Sequence, residues 1–380
     1  MATRSIEAYR LPTASMANTR TLTILRYGTG TNGPKAYVQA GLHANEAPGY
    51  VVMHHLITAL DRIDEQGGIQ GEIVLVPVAN PIGVAQWRDD ELQGRFNLSD
   101  GVNFNRGYPD LTDAVAERVK DRLGPNAQDN IVRIRRAFGE ALDEISPGDE
   151  AAHLKHKLLA CAHDADVVLD LHCDHQAVMH VYIGASLWPA AQDLASWMGA
   201  EVTLLADDSG VTPFDEACGR LWWRLAERFP EHPLPPACVS ATVELRGLAD
   251  LSHAMAAEDA LNITRFLAGR GFIAEPAIAA PALKCEATPL AAVEHIKAPV
   301  PGVVVFLKEP GAKITAGEVV AEVINPLGPN VAERSYSLRA TADGILFAHS
   351  ADRFARPGRI LAKIAGRRPL KAAGENLLTP

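Results

Sequence analysis

A histidine and a glutamate stand three residues apart in the segment GLHANEAPGY, residues 41–50. His43 follows the apolar run KAYVQA by a short step, and Pro48 comes two residues after Glu46. Proline is tolerated in the first turn of a helix, because its missing N–H would have no partner there. Residues three apart in that turn share a face, so both side chains can reach one metal ion. A bare HxxE is common by chance, and a surface turn is the alternative interpretation.

A third candidate ligand follows the apolar run in VVLDLHCDH, residues 167–175. His172 ends this predicted strand, and Asp170 lies two residues earlier on the same strand face. Catalytic zinc usually has three protein ligands, and two histidines with one glutamate are a known set. The sequence therefore predicts one zinc ion per chain, bound by His43, Glu46 and His172. Asp170 is expected to accept the other N–H of a ligating histidine.

Other histidines and one cysteine compete for this assignment. Cys173 is expected on the opposite strand face and His175 beyond the strand end, so both rank below His172. The remaining candidates fall within helical or strand patterns, where solvated or packed side chains are expected: His54, His55, His153, His156, His163 and His180.

A zinc hydrolase also needs a general base. Glu244 in SATVELRG lies near the end of an apolar strand candidate. A lone glutamate inside such a strand is costly unless it has a function or a partner. We therefore predict Glu244 as the base, and an ion pair with Arg246 is the alternative.

Groups for a developing oxyanion and a substrate carboxylate are found in the loop GRFNLSDGVNFNRGYPD, residues 94–110. This loop contains Arg95, Asn105 and Arg106. Arginine binds carboxylates through a planar, two-pronged contact. The alternative is a solvated loop arginine, which is the favoured interpretation for Arg88 in NPIGVAQWRDD.

Short apolar runs alternate with helical patterns up to about residue 275. The runs are rich in Val, Ile, Leu and Ala, as in strands covered on both faces. The strand candidates are residues 35–40, 72–79, 166–171, 181–185, 201–206 and 237–245. The helix candidates are residues 47–62, 127–144, 150–163, 187–199, 214–228 and 253–269. This alternation predicts a layered α/β domain, with its ligand crevice at the carboxyl ends of the strands.

The C-terminal part has a different composition. An Ala- and Pro-rich segment, residues 274–289, is typical of a linker. Beyond it, APVPGVVVF resembles ATADGILFA, and TAGEVVAEVI resembles RPGRILAKIA, which predicts a small all-β unit. The pattern is similar to the barrel-sandwich domains of biotinyl and lipoyl carriers, but it has no lysine in a tight hairpin. We predict a catalytic domain over residues 1–280 and a structural or substrate-covering β domain over residues 290–370.

Bulk composition excludes several function classes. The chain has 380 residues, 47% of them apolar, and a net charge of -10. This charge argues against a nucleic-acid partner or an anionic membrane surface. We find no long apolar run of the kind that spans a membrane and no signal-peptide pattern. The five scattered cysteines indicate reduced thiols and a cytoplasmic location. The oligomeric state is open, including a homo-oligomer.

The order of the motifs resembles the succinylglutamate desuccinylase/aspartoacylase family, which is related to the zinc carboxypeptidases. The motifs are HxxE, NP-x-G, an arginine followed ten residues later by Asn105 and Arg106, DLH and VEL. The resemblance covers about residues 20–270, and the C-terminal β unit also fits the family. One departure is NFNRGYP, where many relatives have Asp-Leu-Asn-Arg-x-Phe-Pro.

The resemblance implies a zinc-carboxypeptidase-like mixed sheet flanked by helices, with a small C-terminal barrel-sandwich-like domain. It implies zinc binding by His43, Glu46 and His172. Glu244 would be the general base and then the acid, and Arg95 would polarise the scissile carbonyl.

The same resemblance implies that Asn105 and Arg106 hold the substrate's α-carboxylate. The implied reaction is hydrolysis of a small N-acyl amino acid, such as an N-acetyl or N-succinyl amino acid. A metallocarboxypeptidase that acts on peptides and a non-catalytic binding protein of the same fold are the alternatives.

Overall fold

The computed structural model contains a nine-stranded mixed sheet and three smaller sheets, and it describes residues 4–13, 15–28, 33–276, 278–330, 333–370 and 376–378. The strands up to the start of the C-terminal unit are β1 (Ser5–Arg10), β2 (Thr21–Tyr27), β3 (Lys35–Ala40), β4 (Glu72–Val76), β5 (Trp87–Arg88), β6 (Glu91–Leu92), β7 (Val167–Asp174), β8 (Gln176–Ala177), β9 (His180–Ile183), β10 (Val202–Leu205), β11 (Val239–Gly247) and β12 (Ala287–Pro289). The order in the large sheet is β1-β2-β4-β3-β7-β11-β9-β10-β12, and β5 pairs only with β6.

Helices cover both faces of this sheet. They are α1 (Pro48–Glu65), α2 (Thr112–Val119), α3 (Ala127–Asp143), α4 (Glu150–Ala162), α5 (Trp188–Met198), α6 (Phe214–Arg228) and α7 (His253–Gly269). One apolar core joins α1, α5 and α7 to the sheet, and a second joins α2, α3, α4 and α6 to the opposite face. No helix in the described ranges is both long enough and apolar enough to cross a membrane.

The centre of the sheet is parallel, and this part positions the site. Strands β4, β3, β7 and β11 are neighbours and run in the same direction. Their carboxyl ends therefore meet at one edge, which is where open α/β sheets bind ligands. Strand β3 leads into the HxxE segment, and in the register of β7 with β11, His172 is opposite Glu244.

Most predicted elements are confirmed. Strand β3 and helices α6 and α7 have the predicted bounds, and α1 begins at Pro48. Strands β1 and β2 and helix α2 were not predicted. Strand β1 is an exposed edge strand without an apolar run, and β2 alternates polar and apolar residues because only one of its faces is buried.

The C-terminal unit consists of two small antiparallel sheets. Its strands are β13 (Val293–Lys297), β14 (Gly302–Phe306), β15 (Lys313–Ile314), β16 (Val319–Ile324), β17 (Ser335–Arg339), β18 (Gly344–His349), β19 (Phe354–Ala355) and β20 (Ile360–Gly366). The sequence repeat explains this pair of sheets. Strands β14 and β16 come from its first copy and lie in one sheet, and β18 and β20 come from its second copy and lie in the other.

The two parts of the chain are joined next to the carboxyl end of β7. Strand β8 follows β7 directly and pairs with β18 of the C-terminal unit. Lys363 on β20 forms an ion pair with Asp174 on β7 at 2.5 Å. The segment predicted as a linker ends in β12, which pairs with β10 and so extends the large sheet. The C-terminal unit therefore borders the same edge of the sheet as the HxxE segment.

Candidate active site

The three predicted metal ligands meet in a buried cluster. His43 Nδ1 lies 2.9 Å from Glu46 Oε1, and His172 Nδ1 lies 2.9 Å from Glu46 Oε2. Each of the three residues is at most 4% exposed. Within the described ranges, this is the one group of three histidine, cysteine or acidic side chains whose ligand atoms lie within 4.8 Å of one another. Two imidazole nitrogens and one carboxylate form a donor set that suits zinc.

Polar neighbours orient both imidazole rings. His43 Nε2 lies 2.8 Å from Asn103 Oδ1, and His172 Nε2 lies 2.9 Å from Asp170 Oδ2. The Nε2 atoms therefore face outer partners, and the Nδ1 atoms face Glu46. Such outer contacts fix the ring that a metal ligand presents. The contact with Asp170 was predicted from strand periodicity. The contact with Asn103 was not, because no local spacing connects this loop residue to His43.

The charges of the cluster are strongly coupled. Burial, together with the charge of Arg95, lowers the pKa of His43 to about 4. Burial opposes the charge on His172, but Asp170 and Glu46 outweigh it and raise the pKa of His172 well above its usual value. Burial also opposes ionisation of Glu46, whose pKa is nevertheless held well below its usual range by both histidines. These shifts favour an ionised Glu46 and a protonated His172, and metal binding would displace the proton on His172.

Glu244 faces the cluster from the neighbouring strand. Its Oε2 is buried and has no hydrogen-bond partner among the described residues. Burial raises the pKa of Glu244 to about 8, and Glu46 contributes to the shift. The predicted alternative, an ion pair with Arg246, does not form. The strand has a register shift after Glu244, Arg246 has a φ of 68°, and its guanidinium pairs with Asp259 on α7. The carboxylate of Glu244 is therefore left facing the cavity.

The loop with Arg95 packs directly against the HxxE segment. Gly94 O accepts a hydrogen bond from Ala44 N–H at 3.0 Å. A Cβ at position 94 would lie 2.3 Å from the backbone nitrogen of Asn45, so glycine permits this approach. Arg95 Nη1 lies 3.2 Å from both His43 Nδ1 and Glu46 Oε1. The guanidinium is therefore at the point where the candidate ligand atoms converge.

Asn105 and Arg106 line the same cavity, which has a volume of about 90 Å³. Asn105 Oδ1 accepts a hydrogen bond from Phe214 N–H at 2.8 Å. Its amide nitrogen, a hydrogen-bond donor, lies 3.4 Å from His172 Nε2 on the active-site side, and such a donor suits an anionic ligand. Arg106 Nη1 donates to the backbone oxygen of Asn105 at 2.7 Å. Arg88, predicted to be a surface side chain, is 77% exposed and pairs with Asp89.

The structure adds charged groups that the sequence did not assign to the site. Lys363 and its partner Asp174 line the cavity, and so does Asp215 in the first turn of α6. Burial opposes the charge on Lys363, but Asp174 outweighs it and raises the pKa of the lysine. Asp174 was the only one of these with a sequence signal, because it lies two residues after His172 on the same strand.

Comparisons with known proteins identify a family and related folds. The family model described as succinylglutamate desuccinylase/aspartoacylase catalytic domain matches residues 32–222. A crystal structure described as a succinylglutamate desuccinylase/aspartoacylase from Shewanella frigidimarina NCIMB 400 is 26% identical, with a TM-score of 0.85 over 96% of this chain and 98% of that chain. A family protein from Shewanella amazonensis SB2B is 27% identical, with a TM-score of 0.83 over 95% of this chain and 98% of that chain.

More distant structures share the fold alone. The product-bound ectoine utilization protein EutE (DoeB) from Ruegeria pomeroyi is 14% identical, with a TM-score of 0.65 over 96% of this chain and 99% of that chain. A search of curated proteins gave no match.

Proposed function

Because the chain belongs to the succinylglutamate desuccinylase/aspartoacylase family, we propose that it is a zinc-dependent hydrolase for the amide bond of a small N-acyl amino acid. One observation carries this proposal. Glu46 links two buried imidazole Nδ1 atoms. The carboxylate of Glu244 faces them from the neighbouring strand, β11. The metal would be held by His43, Glu46 and His172. When bound, zinc acidifies water and polarises a carbonyl group.

The side chains of this chain then have separate tasks. Glu244 accepts a proton from the attacking water and returns it to the leaving nitrogen. Its raised pKa, about 8, suits both transfers near neutral pH. Arg95 donates hydrogen bonds to the carbonyl oxygen as negative charge develops there. Asn105 and Arg106 hold the α-carboxylate, which fixes the amide bond beside Glu244.

The walls of the cavity favour a small substrate over a peptide. The cavity measures about 90 Å³, and Lys363 of the C-terminal unit and Leu378 help to line it. The C-terminal unit is fixed in place by the β8–β18 pairing and by the Asp174–Lys363 ion pair. A polypeptide chain would need open space on this side. The five free cysteines also fit a protein of the reducing cytoplasm.

A substrate panel with zinc-loaded protein tests the proposal. N-acetyl, N-succinyl and N-formyl amino acids are compared with N-blocked dipeptides, and release of the free amino acid is measured. We expect hydrolysis of at least one acylated amino acid, and none after zinc is removed by a chelator. Hydrolysis of the dipeptides alone would identify a carboxypeptidase instead. Binding without turnover across the whole panel would identify a non-catalytic binding protein.

A further inference from the structure

Asp215 is a buried carboxylate that the proposed reaction does not use. It is 6% exposed, lies at the second position of α6 and lines the active-site cavity together with Arg106 and Glu244. Its Oδ1 has no hydrogen-bond partner among the described residues. Burying an ionised carboxylate without a partner is costly, so such a group is kept only where something compensates it.

The neighbouring acid shows what a purely structural role looks like. Glu216 also lines the cavity, but both of its oxygens have partners. Oε1 accepts a hydrogen bond from Ser209 N–H at 3.0 Å, and Oε2 pairs with Arg220 one turn further along α6. Arg220 is also paired with Asp208, and none of the described basic side chains forms an ion pair with Asp215. The protein therefore compensates Glu216 by a direct ion pair, whereas Asp215 has no such pair among the described residues.

We propose that Asp215 is a cation-binding subsite, and that the preferred substrates are N-acyl amino acids whose side chain carries a positive charge. This inference rests on the proposed function for the position of the α-carboxylate. Arg106 and Asn105 supply the positive and donor groups of the cavity, and Asp215 supplies a negative group in the lining of the same cavity. A substrate with an anionic carboxylate and a cationic side chain complements both.

Electrostatics within the cavity agree with this assignment. Burial and the nearby Glu216 raise the pKa of Asp215 to about 7. A cationic group bound beside it would favour the ionised form and lower this pKa. Burial and Arg95 lower the pKa of Arg106, and the charge of Asp215 opposes this shift only in part. If Asp215 only balanced the charge of Arg106, its loss would lower kcat/KM for every substrate to the same extent.

Two substrates of equal chain length isolate the charge. Nα-acetyl-L-ornithine has a side-chain ammonium group, and Nα-acetyl-L-norvaline has the same carbon chain without it. We expect wild-type kcat/KM to favour the ornithine compound by at least about tenfold, as for a hydrogen bond between charged groups. In Asp215→Asn this ratio should fall towards one. The matched control is Asp208→Asn, on the loop before α6 and outside the cavity lining, which should keep the wild-type ratio.

Binding of the product amino acids separates this inference from the proposed function. Isothermal titration of L-ornithine and L-norvaline needs no turnover. If no acylated amino acid is hydrolysed but ornithine still binds more tightly in an Asp215-dependent way, the subsite stands and the proposed hydrolysis fails. If the wild type hydrolyses the ornithine and norvaline compounds with nearly equal kcat/KM, the subsite is overturned. This result needs only the wild type, so it holds even if Asp215→Asn does not fold. Equal losses on both substrates, or an Asp215-dependent preference for Nα-acetyl-L-glutamate, overturn it as well.

Discussion

Two histidine clusters lie close to helix α1, and they differ in burial and in the groups that contact their imidazole rings. The buried cluster is His43, Glu46 and His172, just before the helix and on β7. The surface cluster is His54 and His55 on α1 with His253 at the start of α7, and its ring centroids are 5.1 to 6.3 Å apart. The surface cluster has more histidines, and a count of residues alone would favour it as the metal site.

The difference between the clusters lies in their other partners. In the buried cluster, a carboxylate links the two Nδ1 atoms, and Asn103 and Asp170 orient the rings. In the surface cluster, the closest contact is His55 Nε2 to His253 Nδ1 at 3.1 Å, and no described carboxylate pairs with these rings. Burial and the adjacent histidines lower the pKa of His55. We therefore predict that the metal binds where an anion is shared and the rings are fixed, and that the surface cluster, which has only neighbouring histidines, does not bind it.

The largest expected effect comes from removing the carboxylate of the buried cluster. Glu46→Gln keeps the side-chain shape but makes this cluster resemble the surface one. We expect zinc affinity to fall by more than about 100-fold, which is the upper range for residues that only orient a ligand. Hydrolysis should become undetectable. Zinc titration against a competing chelator measures the affinity, and His55→Gln is the surface control. An unchanged affinity in Glu46→Gln would remove the distinction between the clusters.

The next prediction separates proton transfer by Glu244 from metal binding by the buried cluster. Glu244→Gln should retain zinc and fold normally, while kcat falls by about 10²- to 10⁴-fold. Because the pKa of Glu244 is raised to about 8, its basic form is lost as the pH falls. The wild-type rate should therefore decline on the acidic side of the profile, and the residual rate of the variant should lack this decline. Near-normal turnover would assign the base to another residue.

A smaller effect is expected at the residue that orients His43. Asn103→Ala removes the acceptor for His43 Nε2, which lies 2.8 Å from Asn103 Oδ1. We expect zinc affinity to fall by about 10- to 100-fold. The hydroxyl of Thr58 on α1 donates to the backbone oxygen of His54 at 2.8 Å, so Thr58 offers a matched position beside the surface cluster. Thr58→Ala should leave zinc affinity at the wild-type value. If both variants bind zinc alike, ring orientation does not distinguish the clusters.

The smallest predicted effect concerns the substrate side of the cavity. Arg106→Ala should mainly raise KM, by about tenfold, because it removes contact with a carboxylate that is charged before the reaction starts. Arg95→Ala should mainly lower kcat, since its partner charge appears only in the transition state. Steady-state kinetics with a substrate and its α-carboxamide distinguish the two. An equal response of wild type and Arg106→Ala to amidation would show that Arg106 does not bind this group.

The sequence predicted the parts of the site that follow strand ends. His43 follows β3 and His172 lies near the carboxyl end of β7, and parallel pairing brings the ends of these strands together. Asp170 shares a face with His172 and was predicted for the same reason. Asn103 and Asp215 lie outside such patterns, because loop and helix-start residues have no periodicity that indicates what they face. Lys363 reaches the site only through pairing of β8 with β18, a long-range contact that no local pattern encodes.

Metal analysis of three purified proteins tests the central claim most directly. Wild type should contain about one zinc per chain. The His43→Ala, His172→Ala double variant should contain none, and the His54→Ala, His253→Ala double variant should match wild type. This result would place the metal in the buried cluster. Full zinc content in the first variant, or loss of zinc in the second, would contradict the account.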